Sequence, residues 1–298
     1  MILSRSFHKA LLAGIMALLC AAVFILPGCS VQTQAPEKAI GITVHVIDVG
    51  QGDAILISSS RENVLVDTGD VPDRDKLVSY IKKQGISTID KVIITHPHAD
   101  HLGGMPAVLE HFTVKQLYDS GQTTTTGLYR RYLTTVKDKK IPFSILTGGQ
   151  TLELGDGAVL HILSPGKPYF DGPDALNNNS IVAKLVYGNF SMLLTGDAEQ
   201  EAEQKLVKLY GEDLHSTVLK SGHHGSNTSS SSSFLKQVRP EVAVISVGAG
   251  NEYHHPHPST LKKYGAMKSK VYRTDRDGTI TIYSDGQSYQ VRKEKNNQ

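Results

Sequence analysis

The sequence predicts an α/β fold of the αββα kind, two mixed sheets packed face to face with helices outside. Three observations point to it. A strand–turn–helix–strand pattern occurs twice, so that Val64-Leu65-Val66-Asp67-Thr68-Gly69-Asp70 answers to Met192-Leu193-Leu194-Thr195-Gly196-Asp197. In the same way Val92-Ile93-Ile94-Thr95-His96 answers to Val218-Leu219-Lys220-Ser221-Gly222-His223. Lys91-Val92-Ile93-Ile94 is a nearly continuous apolar run, the pattern of a strand covered on both faces. The polar residues that end such strands would converge at one edge, where functional loops gather on a strand scaffold.

Taken in order, Ile42–Ile47, Ala54–Ile57 and Asn63–Val66 read as strands, with Gly50, Gly52 and Gly69 marking turns. Asp75–Gln84 carries Leu77, Val78 and Ile81 at helical spacing and stops at Gly85. Ser180–Val186 and Phe190–Leu194 are strands around a Gly188-Asn189 turn, followed by a helix over Ala198–Leu209 and a strand over Ser216–Leu219. The stretches Gly121–Gly127 and Ser164–Asn179 read as long loops, and the serines from Ser226 through Ser233 as a loop and helix start before Phe234. Glu241–Val247 is a further buried strand, and Val271–Val291 holds terminal strands with turns at Asp277-Gly278 and Asp285-Gly286.

The beginning of the chain has another purpose. Arg5, His8 and Lys9 precede an apolar run from Ala10 to Leu26 that closes on Pro27-Gly28-Cys29. A basic start, an apolar stretch and a small residue before the cut read as a secretion signal; an uncleaved anchor helix is the alternative, the run lying at the lower limit for a bilayer. Gly28-Cys29 resembles a lipoprotein processing site, although Pro27 departs from the usual pattern. The expected organisation is a lipoprotein signal peptide over 1–28, a polar tether over 29–39 and one domain over 40–298, held extracytoplasmically on the membrane by a lipid on Cys29. With Arg5 and Lys9 removed the charges balance, which counts against a broad nucleic-acid-binding surface. Two local basic clusters remain, one from Arg130 to Lys140 and one from Lys262 to Arg273, readable as solvated faces or as a phosphate-lined groove.

The chemistry is concentrated in Thr95-His96-Pro97-His98-Ala99-Asp100-His101, directly after an apolar strand. Imidazole and carboxylate in this density suit zinc or manganese, and a cation makes such groups tolerable where they are hard to bury. Pro97 excludes a regular helix interior, so His96 and His98 leave the strand extended and can grip one ion together. Asp100 and His101 then start the next turn and can face a second.

This His-x-His-x-Asp-His run resembles the signature of the metallo-β-lactamase superfamily, over about residues 41 to 290. The run His45 to Asp53, Asn178-Asn179-Ser180, Leu194 to Asp197, Lys220 to Ser226, Ser246-Val247-Gly248, Asn251, Tyr253 to Pro258 and Arg273-Thr274-Asp275 further resemble the soluble C-terminal domain of the bacterial competence protein ComEC. The resemblance implies two divalent metal ions, with His96 and His98 on metal one, Asp100 and His101 on metal two, and Asp197 bridging. One of His223 and His224 would complete metal two; His223 is preferred because it comes first after Gly222, with His224 as the alternative. Asp67 fits a supporting role, accepting hydrogen bonds that orient the ligands. The third histidine expected on metal one is missing; Asn177, Asn178 and Asn179 occupy that region, leaving an amide oxygen or water to fill the position.

Two ions of this kind suit hydrolysis, with Asp100 and Asp197 in the catalytic machinery. His255 or His257 could contact phosphate or protonate a leaving oxygen, or serve the loop alone. No Gly-x-Ser-x-Gly motif offers a competing nucleophile. The expected activity is that of an exported nuclease or related phosphodiesterase, with nucleic acid or another phosphodiester as substrate and no protein partner. A phosphorylcholine esterase or other small-molecule metallo-hydrolase competes with this reading, the absence of tryptophan counting against choline-binding repeats. A metal-stabilised surface binding protein without turnover is the alternative of a different class.

Overall fold

The computed structural model describes residues 41–295; the signal peptide and tether expected over 1–28 and 29–39, with Cys29, lie outside the described residues. Two sheets form. The first has eight strands in the order β15-β14-β1-β2-β3-β4-β5-β6, the second seven in the order β13-β12-β11-β10-β9-β8-β7. In the first sheet β1 is Ile42–Val46, β2 Ile55–Ser58, β3 Asn63–Val66, β4 Thr88–Ile94, β5 Thr113–Asp119, β6 Phe143–Ile145, β14 Ile280–Ser284 and β15 Tyr289–Lys293. In the second β7 is Thr151–Glu153, β8 Val159–Ser164, β9 Val182–Tyr187, β10 Phe190–Leu194, β11 Val218–Lys220, β12 Val242–Ile245 and β13 Lys270–Arg273. Both sheets are mixed: β3 to β6 and β10 to β13 run parallel to their neighbours, the remaining pairs antiparallel.

Strand alternation explains the layering. Successive side chains point to opposite faces, so Ile55, Ile57, Val64, Val66 and Ile93 meet Met192, Leu194, Val218, Val242 and Val244 between the sheets. Their neighbours Leu56, Leu65, Val92 and Ile94 face outward, under helices α1 (Arg74–Lys83), α2 (Met105–His111) and α3 (Gly127–Asp138). On the second sheet Leu193, Leu219, Ala243 and Ile245 are covered by α4 (Gln200–Tyr210), α5 (Ser232–Val238) and α6 (Pro258–Ala266). Covering both faces of each strand explains why the central runs are uniformly apolar. None of the described helices is long and apolar enough to cross a membrane.

Helix α3 lies in a stretch that carried no helix in the sequence reading. Thr126 caps it by accepting from the Tyr129 amide, and Tyr129, Tyr132 and Val136 form its buried stripe. Arg130, Arg131, Lys137, Lys139 and Lys140 stand on or beyond its exposed side, the solvated-face arrangement. In the second basic cluster Arg273 is held by Asp275 at 2.5 Å, and Lys263 donates to the Ser229 carbonyl.

Candidate metal centre

The parallel strands deliver the site. β3 and β4 end beside one another, as do β10 and β11, and the residues following all four ends meet at one edge of the sandwich. After β3 the chain turns through Asp67 in the left-handed region (φ 58°), which aspartate tolerates better than most residues. After β4 come Thr95 and His96, then a short helical turn, Ala99–Leu102, carrying Asp100 and His101. Gly196 (φ 49°) turns the chain after β10 to present Asp197. Beyond β11, Gly222 leads into His223 and His224, both left-handed (φ 45° and 51°).

Asp197 is the hub. Its Oδ2 lies 3.2 Å from His101 Nε2, 3.4 Å from His224 Nε2, and 3.9 Å from both His96 Nε2 and His223 Nε2. Asp100 Oδ2 stands 3.1 Å from His224 Nε2 and 3.8 Å from His101 Nε2. His98 Nδ1 is 3.0 Å from His96 Nε2. Buried Asp197 Oδ1 and His101 Nε2 have no hydrogen-bond partner, and buried polar atoms of this kind call for one. Carboxylates and imidazoles, all buried except the partly exposed Asp100, form two clusters, Asp100–His101–Asp197–His224 and Asp53–Asp67–His101, with ligand atoms in each within 4.8 Å of one another. This donor set fits a binuclear divalent-metal centre, and two divalent ions are its cofactor.

Charge in the cluster is strongly coupled. Burial opposes charge on Asp197, but His224 and His101 outweigh it and hold the carboxyl well below the usual range. Burial likewise opposes protonation of His224, yet Asp197 and Asp100 push it up to about 10. His101 is held well above an ordinary imidazole because Asp197, Asp67 and Asp100 overcome its burial. His96, buried with His101 beside it, is held well below. Three carboxylates, Asp67, Asp100 and Asp197, thus draw positive charge into the centre, the balance that a bound cation also supplies.

Other hydrogen bonds fix which nitrogen of each ring faces the centre. Asp67 Oδ2 takes His101 Nδ1 at 2.7 Å while its two oxygens accept from the Thr95 amide and hydroxyl, both at 2.7 Å. His224 Nδ1 lies 3.1 Å from the Ser246 carbonyl. Both rings therefore carry hydrogen at Nδ1 and turn Nε2 inward, the nitrogen whose proton a bound cation would displace. His223 differs from His224: its Nδ1 pairs with Glu199 at 2.9 Å, and it remains partly open to solvent.

A cavity of about 340 Å³ opens over the centre, lined by His98, Asp100, Asn177, Asp197, His223 and His255 among others. Asn178 and Asn179 are occupied elsewhere. Asn178 Oδ1 accepts from the Glu199 and Ala202 amides, and Asn179 bonds the Phe170 backbone in both directions. Asn177 is the asparagine at the cavity, with a buried Oδ1 lacking a partner and an amide donating to Glu199. His255 lies beside His224 with Tyr253 stacked on its other side, and burial lowers its pKa to about 4. His257 is absent from the lining; its Nδ1 accepts from the Asn227 amide. The sequence reading named Asn177 only as one of three asparagines able to fill the metal-one position and Tyr253 only within the Tyr253–Pro258 run; no linear signal set either apart from its neighbours.

Gly52 secures the turn that carries Asp100. At φ 126° it occupies backbone space that side chains avoid, and a Cβ there would overlap the Asp100 carbonyl. Gly52→Ala is expected to lose roughly 1–3 kcal/mol through backbone strain and to displace Asp100, so thermal unfolding and metal content should fall together.

The metallo-beta-lactamase superfamily model matches residues 47–249. Among curated proteins, ComE operon protein 3 of Bacillus subtilis (strain 168) is 33% identical over 255 residues, 80% of this chain and 32% of that protein. Competence protein ComA of Neisseria gonorrhoeae is 33% identical over 263 residues, 87% of this chain and 35% of that protein. The chain therefore spans about a third of the length of these relatives. Among solved structures, the metallo-beta-lactamase fold protein YhfI from Bacillus subtilis superposes with a TM-score of 0.57 at 14% identity, covering 82% of this chain and 100% of that one, a likeness of fold alone.

Proposed function

The chain belongs to the metallo-beta-lactamase superfamily, and from that membership we propose that its metal centre hydrolyses phosphodiesters, with nucleic acid as the favoured substrate. The observation that carries the proposal is Asp197, whose single oxygen faces four imidazole nitrogens within 4 Å beneath an open cavity. Divalent ions bound there supply Lewis acidity toward the phosphoryl oxygens and a water made acidic near neutral pH.

The protein's own residues divide the remaining work. Asp100, His101 and His224 would hold one ion and His96 and His98 the other, with the Asp197 carboxylate standing between the two sets. His223 is directed at the same Asp197 oxygen as His96 and can supply the imidazole that metal one otherwise lacks, with the Asn177 carbonyl beside it. Asp67 orients His101 and Thr95. His255, neutral because burial disfavours its charged form, offers a hydrogen bond to phosphate at the cavity wall. His257 keeps Nε2 for a proton and supports the same rim. The name of the Neisseria relative, a competence protein, favours nucleic acid over other phosphodiesters. Tyr253, 55% exposed at the cavity mouth, adds a flat face on which a base can stack. Export and a lipid anchor at Cys29 complete the reading and place this hydrolysis outside the cytoplasm.

The test is one assay across zinc, manganese and magnesium, using duplex DNA, single-stranded DNA, RNA and a chromogenic phosphodiester, with metal content measured throughout. Cleavage of at least one nucleic acid, abolished by chelation and restored by metal, is expected. Release of phosphorylcholine with no cleavage of these four substrates would replace the nuclease by an esterase. A fully metallated protein that turns over none of them would support a binding role.

A further inference from the structure

We propose that Lys220 is a positioning residue for the metal centre, its buried ammonium holding Asp53 in place so that Asp53 steadies the His224 imidazole. Lys220 ends β11 and is fully buried, the one lysine or arginine among the described residues classed with the buried polar groups. Its neighbours Val218 and Leu219 are equally buried, and across the sheet it stands opposite Val244. Burying an ammonium is costly unless it is paired and hydrogen-bonded. Lys220 meets both conditions, with Nζ 2.8 Å from Asp53 Oδ2 and 2.8 Å from the Ser221 carbonyl.

Asp53 passes this constraint on. Its Oδ1 is buried, has no hydrogen-bond partner and lies 3.5 Å from His224 Nδ1, the nitrogen already turned toward the Ser246 carbonyl. Its backbone amide donates to the Asp100 carbonyl at 3.1 Å, and its carbonyl accepts from the Gly69 amide at 2.7 Å. Asp53 precedes β2 in the first sheet, whereas Lys220 belongs to the second. Asp100 and His101 come from the first half of the molecule, Asp197 and His224 from the second. The Lys220–Asp53 pair therefore crosses the same seam as the metal ligands and fixes one side of the centre against the other.

The inference rests on His224 being a ligand and on no substrate, so its test is separate from the test of nuclease activity. Zinc affinity is measured by competition with a chromogenic chelator in the wild type, Lys220→Met and the double variant Lys220→Met/Asp53→Asn. Methionine fills the space of the lysine stem without its charge, leaving Asp53 buried and alone. Lys220→Met is expected to bind zinc roughly 10- to 100-fold more weakly, the usual range for losing a residue that orients a ligand. The double variant leaves no buried charge uncompensated, so its melting temperature is expected near that of the wild type while zinc affinity stays at least about tenfold lower. A cobalt-substituted double variant should also show an altered visible spectrum. Wild-type zinc affinity in the double variant would overturn the proposal, because the pair would then serve folding alone. If Lys220→Met does not fold, the double variant decides; if neither folds, the pair is a folding element and the proposal fails.

Discussion

Asp197→Ala is expected to empty the metal centre and to lower phosphodiester turnover by roughly 10³-fold or more, beyond the loss seen when one transition-state donor is removed. The reason is geometric. One carboxylate oxygen faces His96, His101, His223 and His224, so removing it leaves them without their shared anion, and Asp100 reaches only His101 and His224. Without that carboxylate the rings, buried around His96 and His101, lose the negative charge that offsets two cations. Metal analysis of the purified variant should find both ions depleted. The fold should persist, because Asp197 stands on a turn after β10 and the apolar layers lie on either side of each sheet. Retention of both ions with full turnover would remove Asp197 from the bridging position.

Asp67→Asn is expected to be nearly as damaging to activity while hardly altering the backbone. Asparagine accepts the left-handed conformation that position 67 requires (φ 58°). What it cannot do is accept with both side-chain oxygens. In the wild type those oxygens receive the Thr95 amide, the Thr95 hydroxyl and His101 Nδ1. An amide nitrogen facing His101 would favour the other neutral tautomer, with hydrogen on Nε2 and no lone pair there to give a metal ion. Turnover should fall by roughly 10²-fold or more, as when a carboxylate that sets a catalytic imidazole's tautomer is replaced. Zinc titration should show metal two weakened while the thermal transition moves by only a few degrees. A variant with wild-type metal affinity would show that Asp67 supports the turn and not the ring. Asp67→Ala is a poorer probe, since it also removes the side-chain oxygen that accepts from the Thr95 amide and helps tie the ends of β3 and β4 together.

Much of the architecture is legible along the chain because the central strands are covered on both faces. Apolar runs such as Val92-Ile93-Ile94 and Met192-Leu193-Leu194 have no polar side to interrupt them, and glycine turns bound them clearly. Strands β5, β6, β7 and β8 were not read from sequence: β6 and β7 have three largely exposed residues each at a sheet edge, while β5 and β8 mix exposed polar positions with buried apolar ones and form no continuous apolar run. Helix α3 was missed because its buried face is made of tyrosines and one valine between basic residues, a weak apolar stripe that makes sense only against the first sheet.

The sequence by itself determined the two-layer sandwich and singled out His96, His98, Asp100, His101 and Asp197 as candidate metal ligands. Those residues announce themselves because metal-ligating groups are dense and follow strand ends at short spacing. Tertiary structure alone decided how the neighbouring pairs divide. His223 and His224 are adjacent and share a left-handed turn, yet one pairs with Glu199 and the other faces Asp100, a difference that no linear spacing contains. It likewise separated Asn177, at the cavity, from Asn178 and Asn179, whose side-chain oxygens are taken by backbone amides. Lys220 and Asp53 became partners only when the two halves closed, because the cost of a buried charge is set by what lies across the seam and not by its neighbours in the chain.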